Sequence, residues 1–148
     1  MRKPTAADLK ELKLLKHYRI IRKWACKNNG LTDADLELLI YLDCLEHFSK
    51  QDFLTGVYSY SWDNNRWHKL IKNDWIVVWR HLNRTTQKYN IYKTSFKAKK
   101  LINRIYKIML GEEDIPMSAQ RNKIMRGECY TDKVLQTAIK NVNKDKTR

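Results

Sequence analysis

The stretch Ser61–Ser95, SWDNNRWHKLIKNDWIVVWRHLNRTTQKYNIYKTS, constrains the fold more than any other part of the 148-residue chain. Its spacing predicts a short helix, a turn and a β-hairpin in immediate succession. Ser61 is a good N-cap, and Asp63 places an anion at the positive end of the helix dipole; the helix then runs to about Asn73. The pair Asn73-Asp74 ends it, because both residues tolerate the left-handed backbone that glycine usually supplies. At 100° per residue Trp67, Leu70 and Ile71 share one face, while Asn65, Lys69 and Lys72 occupy the opposite one, flanked by Arg66 and His68. Trp75–Trp79 is β-branched and aromatic, and Tyr89–Lys93 alternates like its partner strand. The segment His81–Lys88 between them is polar and carries Arg84 and Lys88, with Arg80 and Lys93 beside it; it lacks the Asn-Gly or Asp-Gly of a tight turn.

The polar face of this helix is made of residues that read base edges and phosphates. Asn pairs with adenine in two places, and Lys reaches guanine or a phosphate. A solvated polar face has the same composition, so the hairpin with cations toward its tip is what adds weight to the reading. Trp67 and Trp75 are expected in the core, whereas Trp62 or Trp79, if exposed, would stack on a partner.

Three helices are expected upstream. Thr5 with Asp8 reads as a capping box opening a first helix over about Ala6–Lys27, which carries Leu12, Leu15, Tyr18, Ile21 and Trp24 together with Lys10, Lys13, Lys16, Arg19, Arg22 and Lys23. Such a helix would pair with another subunit, lie near DNA or cover the core. Thr32 and Asp35 open a second helix that is apolar nearly all round from Leu36 to Leu45. Its acids, Asp33, Asp35, Glu37, Asp43 and Glu46, read as a solvated edge facing the basic first helix rather than a catalytic pair. Ser49 and Asp52 open a third, Lys50 to about Tyr58, with Phe53, Leu54 and Val57 inward, and Tyr58-Ser59-Tyr60 links it to the reading helix. Three short helices followed by a hairpin is the order of a winged helix-turn-helix. The predicted fold is therefore mainly α with a small β-hairpin.

After the hairpin, Ser95 caps a helix over Phe96–Leu110. Its stripe is Ala98, Leu101, Ile102, Ile105 and Met109, with Lys97, Lys100, Arg104 and Lys107 on the other side. Gly111 ends it, and residues 111–130 read as an extended connector. A short helix from Thr131 then carries Val134, Leu135, Ala138, Ile139 and Val142, a stripe that needs its own domain, a twin subunit or another protein to cover it. The expected organisation is a domain over 1–110 and a tail over 111–148.

Charge sharpens the functional expectation. Lys and Arg less Asp and Glu give +7 for residues 1–30, −5 for 31–60, +10 for 61–110 and +2 for 111–148, which together make +14. Clustering on the first helix and the helix–hairpin points to a polyanionic partner. Cys26, Cys44 and Cys129 form no C-x-x-C pair, so neither a disulfide framework nor a zinc site is expected, and a reducing compartment is. His17, His47, His68 and His81 lack metal spacing, and no P-loop, Gly-x-Ser-x-Gly or His-Glu-x-x-His motif occurs. Catalysis, cofactors and metals are not expected. The absence of an 18-residue apolar run or an N-terminal apolar segment argues against membrane insertion and secretion.

The run Leu31–Leu110 resembles the DNA-binding half of the MarR-type winged-helix family. LTDADLELLIYL is similar to its central helix, FSKQDFLTGV to the helix leading into its helix-turn-helix, HKLIKNDWIVVWR to its recognition helix and wing, and YKTSFKAKKLI to its return strand and following helix. The chain departs from that pattern in a recognition helix about one turn shorter, in Asp74 where glycine is usual, and in a wing without the family's acidic-arginine tip. The resemblance implies a homodimer built from the first helix and the helix 95–110, whereas the residues of that helix alone fit packing on its own domain equally well. A narrower resemblance, carried by FSKQDF with SWDNNRWHKLIKNDWI and by IPMSAQRN and YTDKV, is to an uncharacterised family of small basic proteins of tailed phages, especially cyanobacterial ones. It implies a viral protein acting in the cytoplasm of an infected bacterium or carried in the virion.

Two function classes follow. One is a regulator that binds double-stranded DNA, with Asn65, Lys69 and Lys72 in the major groove, Arg66 and His68 flanking them as further DNA-binding residues, and Arg80, Arg84 and Lys88 on backbone or minor groove. The other is a virion structural or docking protein that keeps the winged helix as a scaffold and makes its contacts to other virion proteins through 111–148.

Overall fold

A computed structural model describes residues 2–56, 64–83 and 88–145, with backbone alone for residues 54–56, 64, 83 and 88. The described chain is mainly helical with one two-stranded antiparallel hairpin. In order it forms α1 (Ala6–Leu12), α2 (Tyr18–Asn29), α3 (Asp33–Asp43), α4 (Lys50–Gly56), α5 (Asn64–Lys72), β1 (Ile76–Asn83), β2 (Lys88–Thr94), α6 (Phe96–Met109) and α7 (Tyr130–Lys144). Ser61, Trp62, Asp63, the Tyr58–Tyr60 link and Arg84 lie outside the described residues, as do the side chains of Leu54, Val57 and Lys88.

Three helix starts use the same local chemistry. Thr5, Thr32 and Ser49 each accept a hydrogen bond from the backbone N–H three residues on, and Asp8, Asp35 and Asp52 each accept one from the cap residue's own N–H. Each box satisfies two donors that a helix start leaves orphaned.

The chain divides into two compact units, Thr32–Asn103 on one hand and Met1–Leu31 with Arg104–Arg148 on the other. In this grouping the N-terminal helices fall with the tail, and the boundary lies inside α6. Sequence distance hid this, since the partners lie about a hundred residues apart.

Within Thr32–Asn103, α3 packs on α4 and β2, and α5 on β1. Its buried side chains include Leu36, Leu38, Leu39, Leu42, Phe48, Phe53, Trp67, Leu70, Trp75 and Ile76. Trp67 sits between Phe53 and Tyr92, each 4.8 Å from it between ring centroids, so α5, α4 and β2 share one aromatic cluster. Phe48 also pairs with Tyr92 through a β-bridge, with N···O distances of 2.9 and 2.7 Å.

The hairpin is longer than its sequence suggests. His81, Leu82 and Asn83, expected in a polar tip, remain in β1 and pair with Asn90, Tyr89 and Lys88. A β-bulge between Val78 and Arg80 shifts the register and allows the pairing to continue beyond it.

In the other unit the predicted single helix Ala6–Lys27 is broken. Lys13 takes a left-handed backbone, φ 49°, and Lys16 and His17 in the following turn bind the Asp145 carboxylate at the end of α7, at 2.8 and 2.7 Å. Helix α1 buries no residue, so no tertiary packing opposes the break. Its stripe is accordingly split: Leu12 and Leu15 are exposed, while Ile21 and Trp24 are buried.

The supposed extended connector is packed. Ile115 and Ile124 are buried, Asn143 of α7 binds both backbone groups of Ile115 at 2.8 and 3.0 Å, and buried Asn122 bonds Pro116 O and Ile124 N. In α6 the inward residues are Ala98, Ile102, Ile105 and Ile108, with Ile108 in place of the expected Met109.

Candidate nucleic-acid interface

The end of α5 and the start of the hairpin form one continuous device. Asp74 has φ 61°, Asp74 N–H donates to Ile71 O at 3.1 Å, and Trp75 N–H donates to Leu70 O at 2.9 Å. This is a Schellman cap built on aspartate, and it turns the chain from helix to strand within three residues. The Lys97 ammonium closes the same end, 3.1 Å from Asn73 O and 3.9 Å from the centroid of the Trp75 ring.

Trp67 and Leu70 are buried and Ile71 is half-buried, while Asn65, His68, Lys69 and Lys72 are exposed. The division of α5 into a core face and a donor face is thus as its spacing predicts. The donors themselves fall into two groups.

Arg66 and Lys69 are engaged inside the unit. Arg66 Nε lies 2.9 Å from Asp35 Oδ1, and Lys69 Nζ lies 3.2 Å from Oδ2 of the same carboxylate. Asp35 is 1% exposed and also completes the α3 capping box, so one buried acid caps α3 and anchors two cations of α5. Asp35 thus departs from the solvated edge expected for the acids of the second helix. Asp43 behaves likewise, accepting from Thr94 Oγ1 at 2.8 Å and binding Lys99 Nζ at 2.9 Å. Nothing in the local sequence around Asp35 announces the second role, because Lys69 is 34 residues away.

His68 and Lys72 on α5 and Arg80 on β1 are exposed and have no ion-pair partner among the described residues. His81 Nδ1 lies 2.6 Å from Asn90 Oδ1 across the hairpin, and the Asn90 amide donates to Tyr92 Oη at 3.4 Å. Of the eight residues expected to contact DNA, Asn65, His68, Lys72 and Arg80 are exposed, Arg66 and Lys69 bind Asp35, Lys88 is placed by its backbone at the start of β2, and Arg84 lies outside the described residues.

Residues 75–95 contain four cations and no acid, so the charge carried by the hairpin's own residues is of one sign. No helix among the described residues is long and apolar enough to cross a membrane. Comparison with protein families, curated proteins and solved structures returns no match to this chain.

Proposed function

We propose that residues Thr32–Asn103 are a winged helix-turn-helix that binds double-stranded DNA, with α5 as the reading helix and the hairpin as the wing. The observation that carries this reading is the junction of α5 and β1: an amphipathic helix with an exposed polar face leads, through a tight cap, into an acid-free basic hairpin. The order of α3, the Phe48 bridge, α4, α5 and two paired strands supports it. On this reading Asn65, His68 and Lys72 approach the bases and nearby phosphates, and Arg80 and the cations farther along the hairpin contact the backbone. The MarR-type resemblance extends the proposal to a dimeric regulator, and the phage resemblance to one encoded by a virus.

The test is fluorescence anisotropy of a mixed-sequence duplex titrated with the full chain between about 50 and 200 mM salt, where counterion release costs orders of magnitude in affinity. Tight, salt-steep binding is expected. No binding at the lowest salt rules the reading out.

A second reading has its own observation. On α7, Tyr130 is 81% exposed and Val134 54% exposed, an apolar display suited to docking another protein. In that case the chain is a virion component whose tail makes the contacts, and removing α7 abolishes assembly while DNA binding is absent throughout.

A further inference from the structure

Three unusual features of the unit Thr32–Asn103 converge on one spot. The first is the bulge at Trp79, the residue left without a cross-strand partner where the register shifts between Val78 and Arg80. The second is Glu46, which adopts φ 62°, a left-handed conformation uncommon for a residue other than Gly, Asn or Asp. The third is what these two distortions bring together. The His47 ring lies on the Trp79 indole with centroids 3.8 Å apart and planes 32° apart.

Both members are anchored through Tyr92. Phe48, next to His47, bridges Tyr92, and Val78, next to Trp79, pairs with it from the other side. The stack is therefore held by backbone on both flanks, yet it contributes little to the core: Trp79 remains 46% exposed and His47 is exposed. A large aromatic ring pinned in one orientation and left half in water is organised for a contact outside the unit, because its rotamer entropy is already lost.

The chemistry of that contact follows from the surroundings. Exposed Arg80 follows Trp79, and the hairpin that carries both holds four cations and no acid. The partner is thus polyanionic and offers a flat π face. Bases within a duplex present only their edges, since their faces are stacked on one another; an unpaired base presents its face.

We propose that Trp79, supported by His47, is a stacking platform for an unpaired nucleobase, so that the hairpin grips single-stranded or locally opened DNA. This rests on the nucleic-acid reading of the same unit but goes beyond it, since it assigns a different form of DNA to a residue off the reading helix.

The test uses the full chain with a fluorescein-labelled oligodeoxythymidine and a labelled duplex of equal length. Trp79→Ala weakens single-strand binding by about ten-fold or more, the scale on which base–aromatic stacking acts, and changes duplex affinity by less than about two-fold. Trp79→Phe, which keeps a π face, retains most of the affinity. His47→Ala weakens single-strand binding in the same direction, and unchanged affinity there removes the supporting role assigned to His47. Equal losses on single strand and duplex overturn the platform and assign Trp79 to a contact common to both forms, and no loss on the single strand overturns it outright. Wild-type protein that binds the duplex but not the single strand overturns the platform and leaves the proposed function standing. Failure to bind either form sinks both.

Discussion

Arg66 Nε on α5 lies 2.9 Å from Asp35 Oδ1 on α3, and Lys69 Nζ reaches the other oxygen of that carboxylate at 3.2 Å. A buried acid thus fixes the rotational setting of the helix proposed to read DNA, and it does so with two cations that composition alone would assign to the ligand. Asp35→Ala removes the capping acceptor and leaves Arg66 without its anion. Lys69 is about half exposed, so solvent makes up part of its loss, and the expected destabilisation is about 2 kcal/mol, to be measured by urea denaturation.

The same relationship separates the cations by function. Each phosphate neutralised contributes about 0.9 to the slope of log affinity against log salt. Lys72→Gln is expected to reduce that slope by about 0.9, whereas Lys69→Gln leaves it nearly unchanged because its charge already serves Asp35. Asp35→Asn, which keeps the side chain's shape, is expected to steepen it. Equal reductions for Lys69→Gln and Lys72→Gln would show that DNA takes Lys69 from Asp35.

Asp74 holds the left-handed position of the Schellman cap at φ 61° and is exposed. Glycine adopts that conformation without the Cβ clash, so Asp74→Gly is expected to stabilise the unit by about 0.5–1 kcal/mol, read as a rise in the denaturation midpoint. A fall would mean that the Asp74 side chain contributes more than its backbone costs.

Trp67 is the centre of the aromatic cluster, 4.8 Å from both Phe53 and Tyr92 and fully buried. Trp67→Ala is expected to cost about 3–5 kcal/mol and to collapse the near-ultraviolet dichroism of the tryptophans. Loss of less than about 1 kcal/mol would place the core of this unit elsewhere.

In the unit built from the two ends of the chain, Lys27 on α2 binds buried Asp132 at the start of α7. The hydrogen bond from Lys27 holds the Asp132 carboxyl below its usual 3.8, and Asp132 in turn raises the Lys27 ammonium above 10.5. A carboxyl with a depressed value adds stability that is complete above 3.8 and is lost as pH falls through the folded value; an amine with a raised value adds stability that is complete below 10.5 and is lost as pH rises through the folded one. Melting temperatures of wild type and Asp132→Asn should therefore differ across the neutral range and converge in acid below 3.8. A gap that persists undiminished in strong acid would show that the carboxylate's charge is not what matters.

What the sequence determined by itself is the local chemistry. Thr5-Asp8, Thr32-Asp35 and Ser49-Asp52 announce their capping boxes because both partners lie within one helical turn, and Asn73-Asp74 announces the end of α5 because the left-handed conformation is a property of the residue. The faces of α5, with Trp67 and Leu70 inward and His68 and Lys72 outward, follow from helical spacing for the same reason. The tertiary structure decided what depends on partners far apart in the chain. Asp145 fastens the turn that interrupts the first helix, Asp35 claims Arg66 and Lys69, and a bulge together with a left-handed Glu46 sets Trp79 on His47. Propensity and periodicity act over a few residues, whereas an ion pair or a ring stack depends on where the backbone has carried two distant side chains. The helix starts and the existence of the hairpin were therefore readable in advance, and the pairing of cations with distant acids within the fold was not.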